Sequence, residues 1–442
     1  MICNADRSRP SSADVPGSDF GWRFHGRTVG VLQDRSLKLV PREAVSDGAL
    51  APYGGNLATL QACLQCGTCT ANCSLVGEQS HFPRQQMNLF QLGQYQRLVA
   101  DPTVWQCFNC GDCSNRCPSG ARPGKLMGAI RQMAVEHFAF PRFMAGVTNR
   151  PQRWWWMFAA AAALLLLAIA LGGSFWPAAG HVRFASMLPH LTLNLFFFAL
   201  TGLAVAGLAT GVARAWSSYQ GEPLRQTSPR LLLRAFWAVA VETMAHRRFS
   251  DCDGHRTRSF AHLGMFYGFL GLAGLAGVAA LLIAVGGQYP FPALHPLKIL
   301  GNIAAGLLIL GTGYFVRERW ISARQGDAST YFDWLLLVNL LLVGITGVLC
   351  EMFRYWNVPL AAYPGYFLHL VLVFVLLASL PYSKLAHVCY RIVALTSRQY
   401  DLLVEAEAAG RGEDDPVRPG VVLPAGVGIA AVTMVSFTGI GK

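Results

Sequence analysis

CLQCGTCTANC at residues 63–73 and CFNCGDCSNRCP at residues 107–118 place eight cysteines in two runs of the same spacing, C-x2-C-x2-C-x3-C. Three thiolates at such short steps cap one face of a [4Fe–4S] cubane, and the fourth cysteine of each run reaches across to the other cluster. The expected ligation is therefore crossed. Cys63, Cys66 and Cys69 act with Cys117 on one cluster, and Cys107, Cys110 and Cys113 act with Cys73 on the other. Structural zinc is the alternative, but it takes four ligands, normally as two separated pairs. Each run here carries a third cysteine at the same short step, which favours clusters. Cys3, Cys252, Cys350 and Cys389 belong to no motif and read as ordinary thiols.

Between the runs, PRQQMNLFQLGQYQRL (83–98) repeats apolar residues at helical spacing, with Met87, Phe90 and Leu98 on one side. A second helix is expected from about Lys125 to His137. Residues 58–150 thus read as a helical, ferredoxin-type domain in which two clusters replace much of the core. A unit of under ~100 residues buries little apolar surface by itself. Residues 1–57 are polar and weakly periodic, an arm expected to dock on a partner or on the cluster domain.

From Trp154 the character changes. Of the 442 residues, 53% are hydrophobic and only 14% charged, so a large part of the chain is not built for water. Six apolar stretches, at about 154–175, 187–213, 260–286, 298–316, 331–353 and 364–388, each approach the ~20 residues that cross a bilayer. The net charge of +12 then points to a membrane surface and away from nucleic acid. Arg214, Arg225, Arg230, Arg234, Arg247, Arg248, Arg256 and Arg258 lie between the second and third stretches, and Arg317, Arg319 and Arg324 between the fourth and fifth. The alternate loops carry only Arg183 and Arg354. The positive-inside rule then puts both termini and the cysteine domain in the cytoplasm, with the chain multi-pass in the inner (cytoplasmic) membrane. The first thirty residues contain four arginines and no apolar core, so no signal peptide is read there.

The membrane part is expected to span 151–395 as a six-helix cytochrome b-like bundle, followed by a tail at 396–442 whose 421–440 stretch is a weak seventh span. Residues 230–246 read as an amphipathic helix at the interface. Gly268, Gly271, Gly274 and Gly277 sit inside an apolar span, where they serve close helix packing.

Ionisable residues within spans are functional candidates by default. His369 and His387, eighteen residues apart on the expected sixth span, would share one face at about 27 Å separation. His262 stands near the start of the third span, at the depth of His387. A b-type haem takes two imidazoles from facing helices, so His262 with His387 is the expected pair. A second haem on His369 would need His190 or His295 as its partner. Lys384, Glu242 and His246 are candidates for binding a quinone or moving its protons; Lys384 can equally snorkel to headgroups. His25, His81, His137, His181, His246 and His255 otherwise read as surface or interface residues.

No strand–G-x-G–helix unit for flavin or nicotinamide appears, so two-electron chemistry falls to another protein of the complex. The expected role is a relay among a soluble partner, clusters, haem and quinone. WQCFNCGDCSNRCPSGARP (105–123) resembles the C subunit of heterodisulfide reductase. RSFAHLGMFYGF (258–269) and YFLHLVLVFVLLASLPYSKLAHVCYR (366–391) resemble the cytochrome b family of the nitrate reductase gamma subunit. Their fusion resembles the C subunits of quinone-interacting membrane-bound oxidoreductase complexes. That resemblance implies flavoprotein partners A and B, and electron exchange between the quinone pool and adenylylsulfate reductase in dissimilatory sulfur metabolism. Two departures stand out. The gamma family's second histidine, ten residues after its first, is Leu272 here, and the first cysteine run ends Cys73-Ser74 where the pattern has proline.

Overall fold

The computed structural model describes residues 57–73, 75, 81–175, 180–221, 223–246, 256–287, 290–324 and 329–408. The N-terminal arm up to residue 56, Cys3, Cys252, Ser74 and the 421–440 stretch lie outside the described residues. Among those described the chain is helical throughout, with no strand.

The two cysteine runs fold alike because they are spelled alike. Gln65 and Asn109 take φ of 55° and 56°, and Gly67 and Gly111 take 82° and 89°. This alternation turns consecutive backbone groups toward one point, as anion-binding loops do. Each glycine then opens a single helical turn, α2 (Thr68–Ala71) after α1 (Leu57–Ala62) in the first run. Between the runs come α3 (Arg84–Gln91), α4 (Tyr95–Val99) and α5 (Thr103–Gln106), and the second run's turn is α6 (Asp112–Asn115). The single helix expected over 83–98 is broken: Gly93 (φ 67°) ends α3 in the left-handed conformation that a glycine adopts without strain. Met87, Phe90 and Leu98 still meet, fully buried with Leu60, Leu126 and Ile130. The second expected helix is present as α7 (Pro123–Phe138), followed by α8 (Arg142–Thr148).

Among the described residues, six helices are long and apolar enough to cross a membrane: α9 (Trp155–Gly172), then, after the short α10 (Phe184–Met187), α11 (His190–Gln220), and, beyond α12 (Pro229–Ala245), the third at Thr257–Ala284 within α13 (Arg256–Ala284), α14 (Pro296–Arg324), α15 (Tyr331–Tyr355) and α16 (Pro359–Ser379). Glycines seat α13 on α14. A Cβ on Gly268 would come 2.6 Å from the Leu308 nitrogen, and one on Gly311 would come 2.5 Å from the Ala261 carbonyl. Gly271 also faces this contact, whereas Gly274 and Gly277 face open space. The packing reading therefore holds for half of the glycine ladder.

The sixth span corrects the sequence reading. It ends at Ser379, not near 388, and His387 begins a separate helix, α17 (His387–Ala408). Pro381 is the reason: it lacks an N–H, and its ring would strike the carbonyl four residues back. The chain turns through a 3₁₀ segment, Lys384–Ala386, in which the Ser383 hydroxyl accepts from the Leu385 amide. His369 and His387 therefore do not share a helix face, and the 27 Å spacing does not apply. Helix α17 runs unbroken past residue 395.

Helix α12 lies close to its expected range. Leu231, Ala235 and Val239 are buried, at the four-residue step of one helix face. Leu233 and Trp237 remain 67% and 68% exposed, so the helix is apolar on two sides and not simply amphipathic. The cluster domain is docked on the end of the bundle that holds the C-terminal part of α11 and the starts of α15 and α17. Trp105 stacks on Tyr390 at 5.5 Å, and Val135, Phe138, Ala215, Phe332 and Ala394 complete this core. Gly207 on α11 makes room for it, since a Cβ there would stand 2.8 Å from the Phe140 carbonyl.

Candidate functional site

Cys73 does not close on its own run. It lines one cavity with Cys107, Cys110 and Cys113, roofed by Phe82 and Met127. This is the second of the two expected ligand sets, brought together by the fold. Burial, with Cys107 and Cys110 alongside, pushes the Cys73 thiol up to about 11. Burial, with Cys107 next in effect, pushes Cys113 up to about 12. Such thiols become ligands by releasing protons as metal binds. The residues that precede the two crossing cysteines are tied together, for Arg116 donates to the Asn72 Oδ1 at 3.0 Å. On the first run Cys66 is exposed. Its hydrogen-bond contact with Thr68, Sγ to Oγ1 at 3.3 Å, lowers its thiol.

A second cleft lies where the cluster domain meets the bundle. His262 from α13, His387 at the head of α17, and Glu242 and His246 from the end of α12 all line it, with Phe266 and Phe108 as apolar walls. Phe108 belongs to the second cysteine run. His387 Nδ1 bonds to the Lys384 carbonyl, which can only accept, so Nδ1 carries the proton and the Nε2 lone pair is left for another partner. Burial pushes this imidazole down to about 3, so it is neutral at physiological pH. Lys384 does not line the cleft. Its ammonium is ion-paired with Asp333, which also takes Arg319 at 3.1 Å, and the pair anchors the 3₁₀ segment whose carbonyl orients His387. His246, in a left-handed cap conformation (φ 48°), holds its ring 5.5 Å from that of His262. Imidazoles from separate helices around one aromatic-walled cleft form a donor set that fits a b-type haem.

His369 is in a different place. Thr346 donates its hydroxyl proton to the Leu342 carbonyl at 2.6 Å, so the Thr346 oxygen accepts from His369 Nδ1 at 2.9 Å and again leaves Nε2 available. Gly347 admits the ring, since a Cβ there would come 3.2 Å from its Cε1. His190 opens α11. His295 stacks on Phe291 at 4.7 Å, and its Nδ1 accepts from the Leu297 amide. Both stand toward the end of the bundle remote from the cluster domain, and His369 lies ten residues into α16, near the level of the start of α11, where Leu188 and Leu193 pack with Leu370 and Val371. Leu272 packs with Leu308, Leu336, Leu340 and Leu376 in an apolar cluster.

Sequence reasoning missed Phe108, Arg391, Asp333 and Thr346. Asp333 and Thr346 carry a signal that could have found them, a polar side chain within an apolar span. The other two become visible only when the domains are docked.

Residues 59–121 match the family described as 4Fe-4S dicluster domain. The iron-sulfur C subunit of the CoB–CoM heterodisulfide reductase of Methanopyrus kandleri is 35% identical over 78 residues, 18% of this chain and 41% of that protein. The C subunit of the H(2):CoB-CoM heterodisulfide,ferredoxin reductase of Methanothermobacter marburgensis is 33% identical over 87 residues, 20% of this chain and 45% of that protein. The chain thus spans less than half the length of these archaeal proteins. Citrate utilization protein B of Escherichia coli is 26% identical over 362 residues, 76% of this chain and 89% of that protein. No solved structure matches. The match favours iron–sulfur clusters over structural zinc for the two cysteine runs. The chain carries, at residues 59–121, a 4Fe–4S dicluster domain homologous to the iron–sulfur C subunits of heterodisulfide reductases.

Proposed function

We propose that this chain is a membrane-anchored electron-transfer subunit, relaying single electrons between a cytoplasmic flavoprotein and quinone in the bilayer. One observation carries the reading: Phe108, beside Cys107, lines the same cleft as His262 and His387. The clusters and a b-type haem, when bound, supply the one-electron chemistry. The chain supplies the rest. Cys63, Cys66, Cys69 and Cys117 hold one cluster, and Cys107, Cys110, Cys113 and Cys73 the other. His262 and His387 would hold a haem in the cleft, and a second haem would draw on His369 with His190 or His295. Glu242 and His246, on the wall of the cleft, are placed to exchange protons with a quinone; Lys384 is engaged with Asp333 and better suited to holding the turn.

The cluster domain sits at the end of the bundle where Arg214, Arg225, Arg319 and Arg324 emerge. That supports the cytoplasmic side of the inner membrane. For the partner, two readings stand. The resemblance to quinone-interacting membrane-bound oxidoreductase complexes favours flavoprotein partners A and B feeding adenylylsulfate reductase, or an equivalent relay in a heterodisulfide reductase-like or sulfite reductase-linked complex. One relative that aligns over 76% of the chain is named for citrate utilization, which favours a flavoprotein acting on a citrate-like carboxylic acid.

The test is spectroscopic. Membranes carrying the chain, reduced with dithionite, are expected to show a b-type absorption band that a water-soluble quinone bleaches back to the oxidised form. An iron-replete protein with no haem band, or a band that quinone leaves reduced, overturns the reading.

A further inference from the structure

The second cysteine run is clamped from the membrane side. The Cys107 carbonyl accepts from Arg131 Nη2 at 2.6 Å and from Arg391 Nη1 at 3.3 Å. Arg391 also lays its guanidinium over the Phe108 ring, 5.4 Å from the centroid. It stands four residues after His387 on α17, hence on the same helix face. Both Arg391 and Phe108 line the cleft that holds His262 and His387. One side chain therefore grips the main chain of a cluster-ligand residue, stacks on its neighbour, and shares a wall with two imidazoles.

We infer that Arg391 is the positioning residue that couples the second cysteine run to the histidine cleft, holding the two at fixed separation and placing a permanent positive charge between them. The guanidinium is charged at any physiological pH and is matched to this task in a way lysine is not: a planar fork can bond a carbonyl and stack on a ring together. A fixed cation favours the more negative, reduced state of a centre on either side, and charge is one of the levers that set cluster potentials. The inference rests on the relay reading above.

The experiment compares the full chain with its Arg391→Gln and Arg391→Lys variants, purified from membranes in detergent. Iron and haem content, cluster potentials by EPR-monitored titration, and the rate at which reduced clusters pass electrons to the haem are measured on each. Iron and haem are expected to be unchanged in both. The glutamine variant should lower the potential of the second cluster and slow transfer about tenfold. The lysine variant should keep the potential, because charge is retained, and lose rate, because the fork is gone. A glutamine variant with wild-type potential and rate overturns the inference. So does equal loss of iron from both variants, which would mark a merely structural clamp. A wild-type chain without haem would overturn the relay reading instead, and the cluster titration would still test Arg391.

Discussion

Replacing Cys73 by alanine is expected to remove the cluster of the other run. Crossed ligation assigns Cys73 to Cys107, Cys110 and Cys113, and these four cysteines line one cavity. Iron should fall from about eight to about four per chain, and one of two EPR signals should vanish. The surviving signal should be the one that responds to Cys66→Ser, on the exposed first run. The protein should also lose stability, because the core around Met87 and Phe90 is small and a bound cluster contributes folding free energy directly. Loss of the Cys63–Cys69 cluster alone would contradict the crossed assignment.

Replacing His387 by leucine is expected to abolish the haem band of the cleft. This imidazole is neutral, half-buried and oriented by the Lys384 carbonyl, which leaves its Nε2 for a ligand. His262→Leu should match it. His246→Leu should leave the band in place and impair only its reoxidation by quinone, which separates a ligand role from a proton-handling one. Retention of full haem in the His387 variant would instead point to His262 and His246, whose rings stand 5.5 Å apart, as the residues that would hold it.

The cysteine runs were the most legible part of the molecule, since ligand spacing along a chain is local and the repeat in letters became a repeat in backbone dihedrals at Gln65–Gly67 and Asn109–Gly111. Five of the six spans were legible for a related reason: length and hydropathy are counted on one helix at a time. The sixth failed at its end because hydropathy carried the reading through Pro381, and the backbone did not follow. That error also placed His369 and His387 on one face, although both remain candidates on separate grounds. The junction was not legible at all. Nothing in the letters says that Trp105 stacks on Tyr390, or that Arg391 meets Cys107 across 284 residues. Two glycines of α11 leave room for the docking: a Cβ on Gly207 would meet the Phe140 carbonyl at 2.8 Å, and one on Gly211 the Tyr390 hydroxyl at 2.5 Å.

The most direct test of the relay is elemental and haem analysis of the purified full-length chain. It predicts about eight non-haem irons per chain, b-type haem in at least stoichiometric amount, and no bound zinc. Zinc in place of iron, or eight irons with no haem, would contradict it.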